Sequence, residues 1–246
     1  MAWKPVDCHA HSTLSDGALD VPQLIEHVTG RGVRPSVSDH ISRDVTGAVA
    51  SIDAIRAYLD ELERYPIARG GEFCWHDALW RELPDDLAGR FTHRLGSLHA
   101  IYLDDRRLVH AFSRRFPASL TRDEYMDALV ANAEALAGSM PVDILAHPTL
   151  VNLTLRDVPA DELWTEEREE RLVAALFDAG IAFEISARYK AHERLVRRAI
   201  DRGVRISLGS DGHSADQVGD LTFPLALARH CGARDEDLFD PYARLA

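Results

Sequence analysis

A chain of 246 residues, 46% apolar and 28% charged, with no low-complexity run, is long and apolar enough to bury a full core, which excludes disorder. Its formal charge of −12 excludes broad binding to nucleic acid or anionic membranes, because both partners need a basic face that releases counterions. No apolar run approaches the ~20 residues of a membrane span, "MAWKPVD" lacks the apolar segment of a secretory leader, and three cysteines without CxxC spacing support neither a disulfide framework nor a zinc ribbon, so the expected location is the cytoplasm.

The elements read in chain order as alternating strands and helices. "KPVDCHAH" is a first strand on which Asp7, His9 and His11 point to one side and Cys8 and Ala10 to the other. "SDGALDVPQLIEHVTGRG" then carries cap-type residues, Val21, Leu24, Ile25 and Val28 at helical spacing, and a stop at Gly30 and Gly32. "GVRPSVSDH" is the second strand, and a helix runs from Ser51 with Ile52, Ile55, Tyr58, Leu59 and Leu62 on one stripe. "IARGGEF" and "HRLGSLHAI" are the third and fourth strands, followed by the helix "TRDEYMDALVANAEALAG". "PVDILAH" is the fifth strand, "TEEREERLVAALFDAG" a helix, "GIAFEIS" the sixth strand, "AHERLVRRAIDRG" a helix and "RISLGSDGH" the seventh strand. The alternation predicts an α/β fold with a parallel sheet and external helices, and no linker divides it, so residues 1–246 are expected to form a single domain.

Metal-type side chains fall where these strands end. His9 and His11 end the first, His40 the second, Glu72 the third, His99 the fourth, His147 the fifth, and Asp211 and His213 the seventh. The steps from His9 to His40, Glu72, His99 and His147 are 31, 32, 27 and 48 residues, about one strand–helix unit each with one enlarged connection. In a parallel barrel all C-terminal strand ends open on one face, so these residues converge there. Burying that many ionisable groups is costly unless cations satisfy imidazole and carboxylate together. Their mixture suits zinc, manganese or iron, with magnesium disfavoured. His27, His76, His93, His110, His192 and His230 read instead as surface residues, while Cys8 and Cys74 lie beside suspected ligands.

With "DCHAHSTLSDG", "VSDHIS", "GGEF", "GSLHAI", "LAHP", "EIS" and "LGSDGH" in this order, the chain resembles the PHP (polymerase and histidinol phosphatase) family along essentially its whole length. The resemblance implies a distorted (β/α)7 TIM-like barrel with three divalent metal ions at its C-terminal face. Carried over, His9, His11, Glu72 and Asp211 hold the first ion, Glu72 bridges to a second held by His99 and His147, and Asp16, His40 and His213 hold the third. All nine positions carry residues able to ligate, whereas PHP domains serving as structural attachments to polymerases often lose ligands.

The implied activity is metal-dependent phosphomonoester hydrolysis, in which two cations bridged by Glu72 ready a shared hydroxide for in-line attack and the third offsets phosphate charge. Glu72, Asp211 and His213 are the catalytic candidates, with Asp211, His213 or a metal-bound water protonating the leaving group. Arg188, Lys190 and Arg156 are candidate phosphate contacts, and Glu184, Asp7 and Asp39 candidate supports for the ligands. The expected partner is a small anionic phosphorylated substrate such as L-histidinol phosphate. "GSLHAI" and "EISARYKAHERL" depart from the usual histidinol phosphatase text at the pocket rim, so a phosphoesterase acting on nucleotides or short oligonucleotide ends stands as an alternative. An amidohydrolase of cyclic amides would need a bridging lysine and eight units, and would leave His40 and "SDGH" without a role. A non-catalytic, metal-stabilised interaction module is the remaining alternative.

Overall fold

The computed structural model describes residues 4–103 and 107–245. In chain order its strands are β1 (Ser36–Val37), β2 (His40–Ile41), β3 (Ala68–Arg69), β4 (Glu72–Cys74), β5 (Leu95–Ser97), β6 (Ala100–Tyr102), β7 (Leu108–His110), β8 (Ile144–Leu145), β9 (Ala182–Ser186) and β10 (Ile206–Gly209). β2, β4, β5, β8, β9 and β10 lie side by side in that order as one parallel sheet, and β1 pairs with β3 in parallel on the same two chain segments.

The first predicted strand forms only isolated bridges, yet it closes the sheet. Val6 bridges Arg34 and Ala10 bridges Gly212. On one side the Cys8 N–H donates to Leu208 O at 2.9 Å, and on the other the Ser38 N–H donates to Ala10 O at 2.8 Å. Residues 6–11 therefore stand as a stave between the last strand and the second, which completes the distorted seven-stave barrel that the alternation and the resemblance predict.

The second and third staves are each split in two, at Ser38–Asp39 and at Gly70–Gly71. A Cβ on Gly70 would lie 2.2 Å from Ser38 Oγ and 2.6 Å from His93 Nε2, so backbone and side chains approach there as only glycine allows.

The helices form where their end signals stand. α1 (Val21–Gly30) starts at a capping box of Asp20 and Gln23, and α2 (Ile52–Leu62) at Ser51. Two short helices, α3 (Leu79–Glu82) and α4 (Asp85–Ala88), have no counterpart in the sequence reading, being a single turn each. α5 (Arg122–Ser139) opens on a Thr121–Glu124 capping box, the single-turn α6 (Ala160–Leu163) follows, and α7 (Glu166–Ala179) opens on Thr165. α7 and α8 (Glu193–Arg202) stop at Gly180 and Gly203, whose φ of 68° and 88° is the left-handed conformation that ends helices. α9 (Thr222–His230) escaped prediction because it has no side-chain cap and holds Pro224 in its first turn.

Helix stripes and strand faces meet in one large core. α8 buries Leu195, Val196 and Ala199, and a side chain such as Leu195 is worth about 1.5–3 kcal/mol on leaving water. Tyr125, Phe73 and Phe183 are among the largest fully buried side chains. Among the described residues no helix is long and apolar enough to cross a membrane.

Candidate metal centre

The parallel register brings the strand-end side chains to one mouth. His40 and Glu72 are register partners on β2 and β4, His99 follows β5, His147 follows β8, and Asp211 follows β10. His147 and Asp211 have φ of 32° and 50°, among the described residues the two non-glycine positions in the left-handed region. That conformation is disfavoured for a side chain with Cβ and gathers at functional sites. Here it turns both side chains inward as the chain leaves the barrel.

Glu72 is the hub. Fully buried, it sets Oε1 3.1 Å from His99 Nε2 and 3.0 Å from His147 Nε2, and Oε2 2.6 Å from His40 Nδ1 and 3.5 Å from His9 Nε2. Asp211 Oδ1 lies 3.3 Å from His11 Nε2. Asp16 Oδ2 stands 3.6 Å from His40 Nε2 and 3.5 Å from His213 Nε2.

Four groups have ligand atoms mutually within 4.8 Å: His9, His11 and Asp211; His9, Glu72 and His147; His40, Glu72 and His99; and His11, Asp16, His40 and His213. Together they draw on the nine residues expected as ligands and on no other described residue. The partition is more shared than expected, since His40 joins both the Glu72 group and the outer Asp16 group, and His11 also reaches the latter.

The donor set fits cations. His9 Nε2, both ring nitrogens of His11, His40 Nδ1, His147 Nδ1 and Glu72 Oε2 are buried without a hydrogen-bond partner. The 2.6 Å approach of His40 to Glu72 is thus a contact whose geometry is not that of a hydrogen bond. Each orphaned buried polar atom costs about 1–3 kcal/mol, and one shared divalent ion satisfies several together.

Electrostatics agree. Burial pushes the Glu72 carboxyl up, but the imidazoles of His99, His40 and His9 outweigh it and hold Glu72 well below the usual carboxylate range. Asp211 is likewise held low against burial by His9 and His11. Burial pushes His11 down to about 3, leaving it a neutral donor.

A second layer orients these donors. Glu184 Oε1 is 2.8 Å from His9 Nδ1, which turns His9 Nε2 to the centre, and Oε2 accepts the His147 N–H at 2.5 Å. Cys74 Sγ lies 3.1 Å from His99 Nδ1. Asp7 accepts from Ser210 N and Gly219 N at 2.9 Å each and from Ser210 Oγ at 2.7 Å, tying the loop after β10 to the first stave. Asp39 accepts from Ser12 N at 2.7 Å and Ser15 Oγ at 2.5 Å, shaping the turn that carries Asp16.

A cleft of about 320 Å³ opens over the centre, lined by Asp16, His40, His99, Asp211 and His213 together with Arg188, Tyr189, Phe112, Val45, Asp44, His76 and His110. Of the three expected phosphate contacts only Arg188 is there, its Nη1 3.0 Å from His213 Nδ1. Lys190 is not among the lining residues and sits 5.1 Å over the Phe223 ring, and Arg156, 67% exposed, stands beside Asp157 away from the cleft. Both expectations are corrected to this extent: neither Lys190 nor Arg156 lines the cleft.

Two histidines read as surface residues are buried. His93 packs within the barrel, Nε2 3.0 Å from Cys8 O and 3.2 Å from Ser38 Oγ, and the His76 side chain is 2% exposed. His110 is exposed but reaches the cleft because β6 and β7 form an antiparallel hairpin that pairs it with Ala100. The 48-residue step from His99 to His147 was the available signal for this extra hairpin.

No family model matches the sequence. A solved structure of histidinol phosphate phosphatase from Lactococcus lactis subsp. lactis Il1403, complexed with zinc, L-histidinol and phosphate, matches with a TM-score of 0.71, covering 94% of this chain and 95% of that one at 17% identity. The DNA polymerase/3'-5' exonuclease PolX of Bacillus subtilis (strain 168) is 22% identical over 240 residues, 91% of this chain but only 36% of that protein's length. The resemblance to the PHP family therefore holds in three dimensions: the chain has the barrel fold of the histidinol phosphate phosphatase, with nine histidine and carboxylate side chains gathered at its mouth.

Proposed function

We propose that the protein is a metal-dependent phosphomonoester hydrolase whose favoured substrate is a small phosphomonoester such as L-histidinol phosphate. The observation that carries this reading is the set of buried, partnerless ligand atoms around Glu72 beneath a cleft bearing Arg188. His9, His11, Glu72 and Asp211 would hold one cation, Glu72, His99 and His147 a second, and Asp16, His40 and His213 a third. Zinc, manganese or iron there supplies Lewis-acid charge that lowers the pKa of water and offsets charge on a phosphoryl group.

The chain's own groups do the rest. Glu72 and Asp211 stay ionised and keep their oxygens available as donors. Arg188, 45% exposed at the rim, offers its planar fork to the non-bridging phosphate oxygens. Asp211 and His213 lie beside Arg188, and with Asp211 ionised the proton for the leaving oxygen would come from His213. Phe112 and Tyr189, with ring centroids 6.4 Å apart, wall the cleft and limit water around the reacting phosphate.

The test is phosphate release by metal-stripped and reloaded protein from L-histidinol phosphate, a nucleoside bisphosphate and a short 5'-phosphorylated oligonucleotide. Zinc-, manganese- or iron-loaded protein is expected to favour histidinol phosphate, with Glu72→Gln slower by about a thousandfold. Preference for the oligonucleotide would move the protein to the alternative substrate class, and no release with any metal would overturn the reading.

A further inference from the structure

The cleft is also lined by a group of side chains that neither the proposed centre nor its supports use. His76 lines the cleft with its side chain 2% exposed, and neither ring nitrogen has a hydrogen-bond partner. Asp44 Oδ2 lies 3.1 Å from His76 Nε2, close but without hydrogen-bond alignment, and the Asp44 side chain is 56% exposed. His110 stands edge-on to His76, ring centroids 5.6 Å apart at 81°. Asp44, His76 and His110 do not form a metal-sharing group among the described residues. A buried imidazole with two unmet nitrogens beside an open carboxylate is instead a site for a ligand's own donors.

The cleft therefore offers two kinds of contact. Arg188 and the candidate cation ligands share its lining with the Asp44 carboxylate, the His76 and His110 imidazoles and Phe112, whose ring is 5.5 Å from that of His99. At about 320 Å³ the space is near the lower limit of ligand pockets, which run from about 300 to 1,000 Å³. A molecule seated by its phosphate at Arg188 in so small a space must place the rest of itself against the remaining lining.

We propose that Asp44 and His76 form the leaving-group pocket of this cleft and select phosphomonoesters whose alcohol carries an ammonium group. The ammonium hydrogens go to the Asp44 carboxylate and the unshared nitrogen of His76, while the carbon chain crosses Phe112. A second phosphate in this pocket would meet the Asp44 charge, so nucleoside bisphosphates and oligonucleotides are rejected there. The assignment rests on the phosphomonoesterase reading for its consequence, but the pocket can be tested by binding alone.

The probes are two non-hydrolysable phosphonates, 3-aminopropylphosphonate and n-propylphosphonate, titrated calorimetrically into zinc-loaded full-length protein. Wild type is expected to bind the amino compound about tenfold more tightly, as one charge-assisted hydrogen bond in a partly buried site provides. Asp44→Asn and His76→Asn are each expected to shrink that ratio to about threefold or less, while Arg156→Ala, outside the cleft, leaves it as in wild type. Equal affinity of wild type for the two probes, or a ratio that survives both cleft variants, overturns the proposal. Hydrolysis of p-nitrophenyl phosphate is followed in parallel. Its absence alongside an Asp44-dependent amine preference would sink the phosphatase reading and leave the pocket, whereas turnover without amine preference would do the reverse.

Discussion

Glu184 binds nothing at the centre itself, yet its two oxygens fix two of the residues that do. With Oε1 facing His9 Nδ1, the ring's Nε2 lone pair has one direction left, toward Glu72 and Asp211. Losing such a partner typically lowers metal affinity about 10- to 100-fold. Glu184→Ala is expected to weaken zinc by that factor in a chelator competition, with Glu184→Gln closer to wild type because the amide oxygen still accepts. Cys74 acts similarly on His99, so Cys74→Ala should weaken zinc where Cys74→Ser, keeping an acceptor, weakens it less. Zinc affinity unchanged in Glu184→Ala would mean that the contact does not orient His9. At this scale the sequence showed Glu184 at a strand end and Cys74 next to suspected ligands, but not which atom each would face, because that depends on χ angles set across the barrel.

At the level of elements, His93 shows why a histidine between strands is hard to place from sequence. It sits where the glycine break in the third stave leaves room, and joins Cys8 O of the closing stave to Ser38 Oγ of the second. Nothing in the local text distinguishes such a ring from one on a surface loop. Burial pushes its pKa down to about 4. The unfolded chain therefore takes up a proton on this ring at higher pH than the folded one. The stability His93 confers is complete above the ordinary imidazole value and fades as pH falls toward 4, at most by about 3 kcal/mol. Urea unfolding should show wild type more stable than His93→Gln at pH 7.5, with the gap narrowing at pH 5. A gap that widened on acidification would contradict the buried, neutral ring. The long helices were legible because each carries a cap and a stripe, whereas α3, α4 and α6 are single turns fixed by their surroundings.

The whole molecule follows from its alternation of strands and helices. Strand-end residues as remote as His9 and Asp211 could be expected to meet because a closed parallel sheet brings its C-terminal ends together, and they do. The rest of the cleft lining was not legible, since Asp44 and His76 come from connections and His110 from the extra β6–β7 hairpin. Nor could side-chain type alone separate Arg188 from Lys190 and Arg156, because which of three cations faces the cleft depends on loop direction. A centre with this many unmet ligand atoms should also couple metal to folding. Zinc at a thousandfold excess over its Kd adds about 4 kcal/mol per site, so Tm should fall by about 10 °C for each site emptied on chelation and recover on reloading. A melting curve indifferent to chelator would show that cations do not hold the mouth together. The most direct measurement is anomalous diffraction at the zinc edge from crystals of the zinc-loaded protein. Peaks are predicted among His9, Glu72, His147 and Asp211, with a further one beside Asp16, His40 and His213. Fully loaded crystals with no peak within coordination distance of Glu72 would contradict the account.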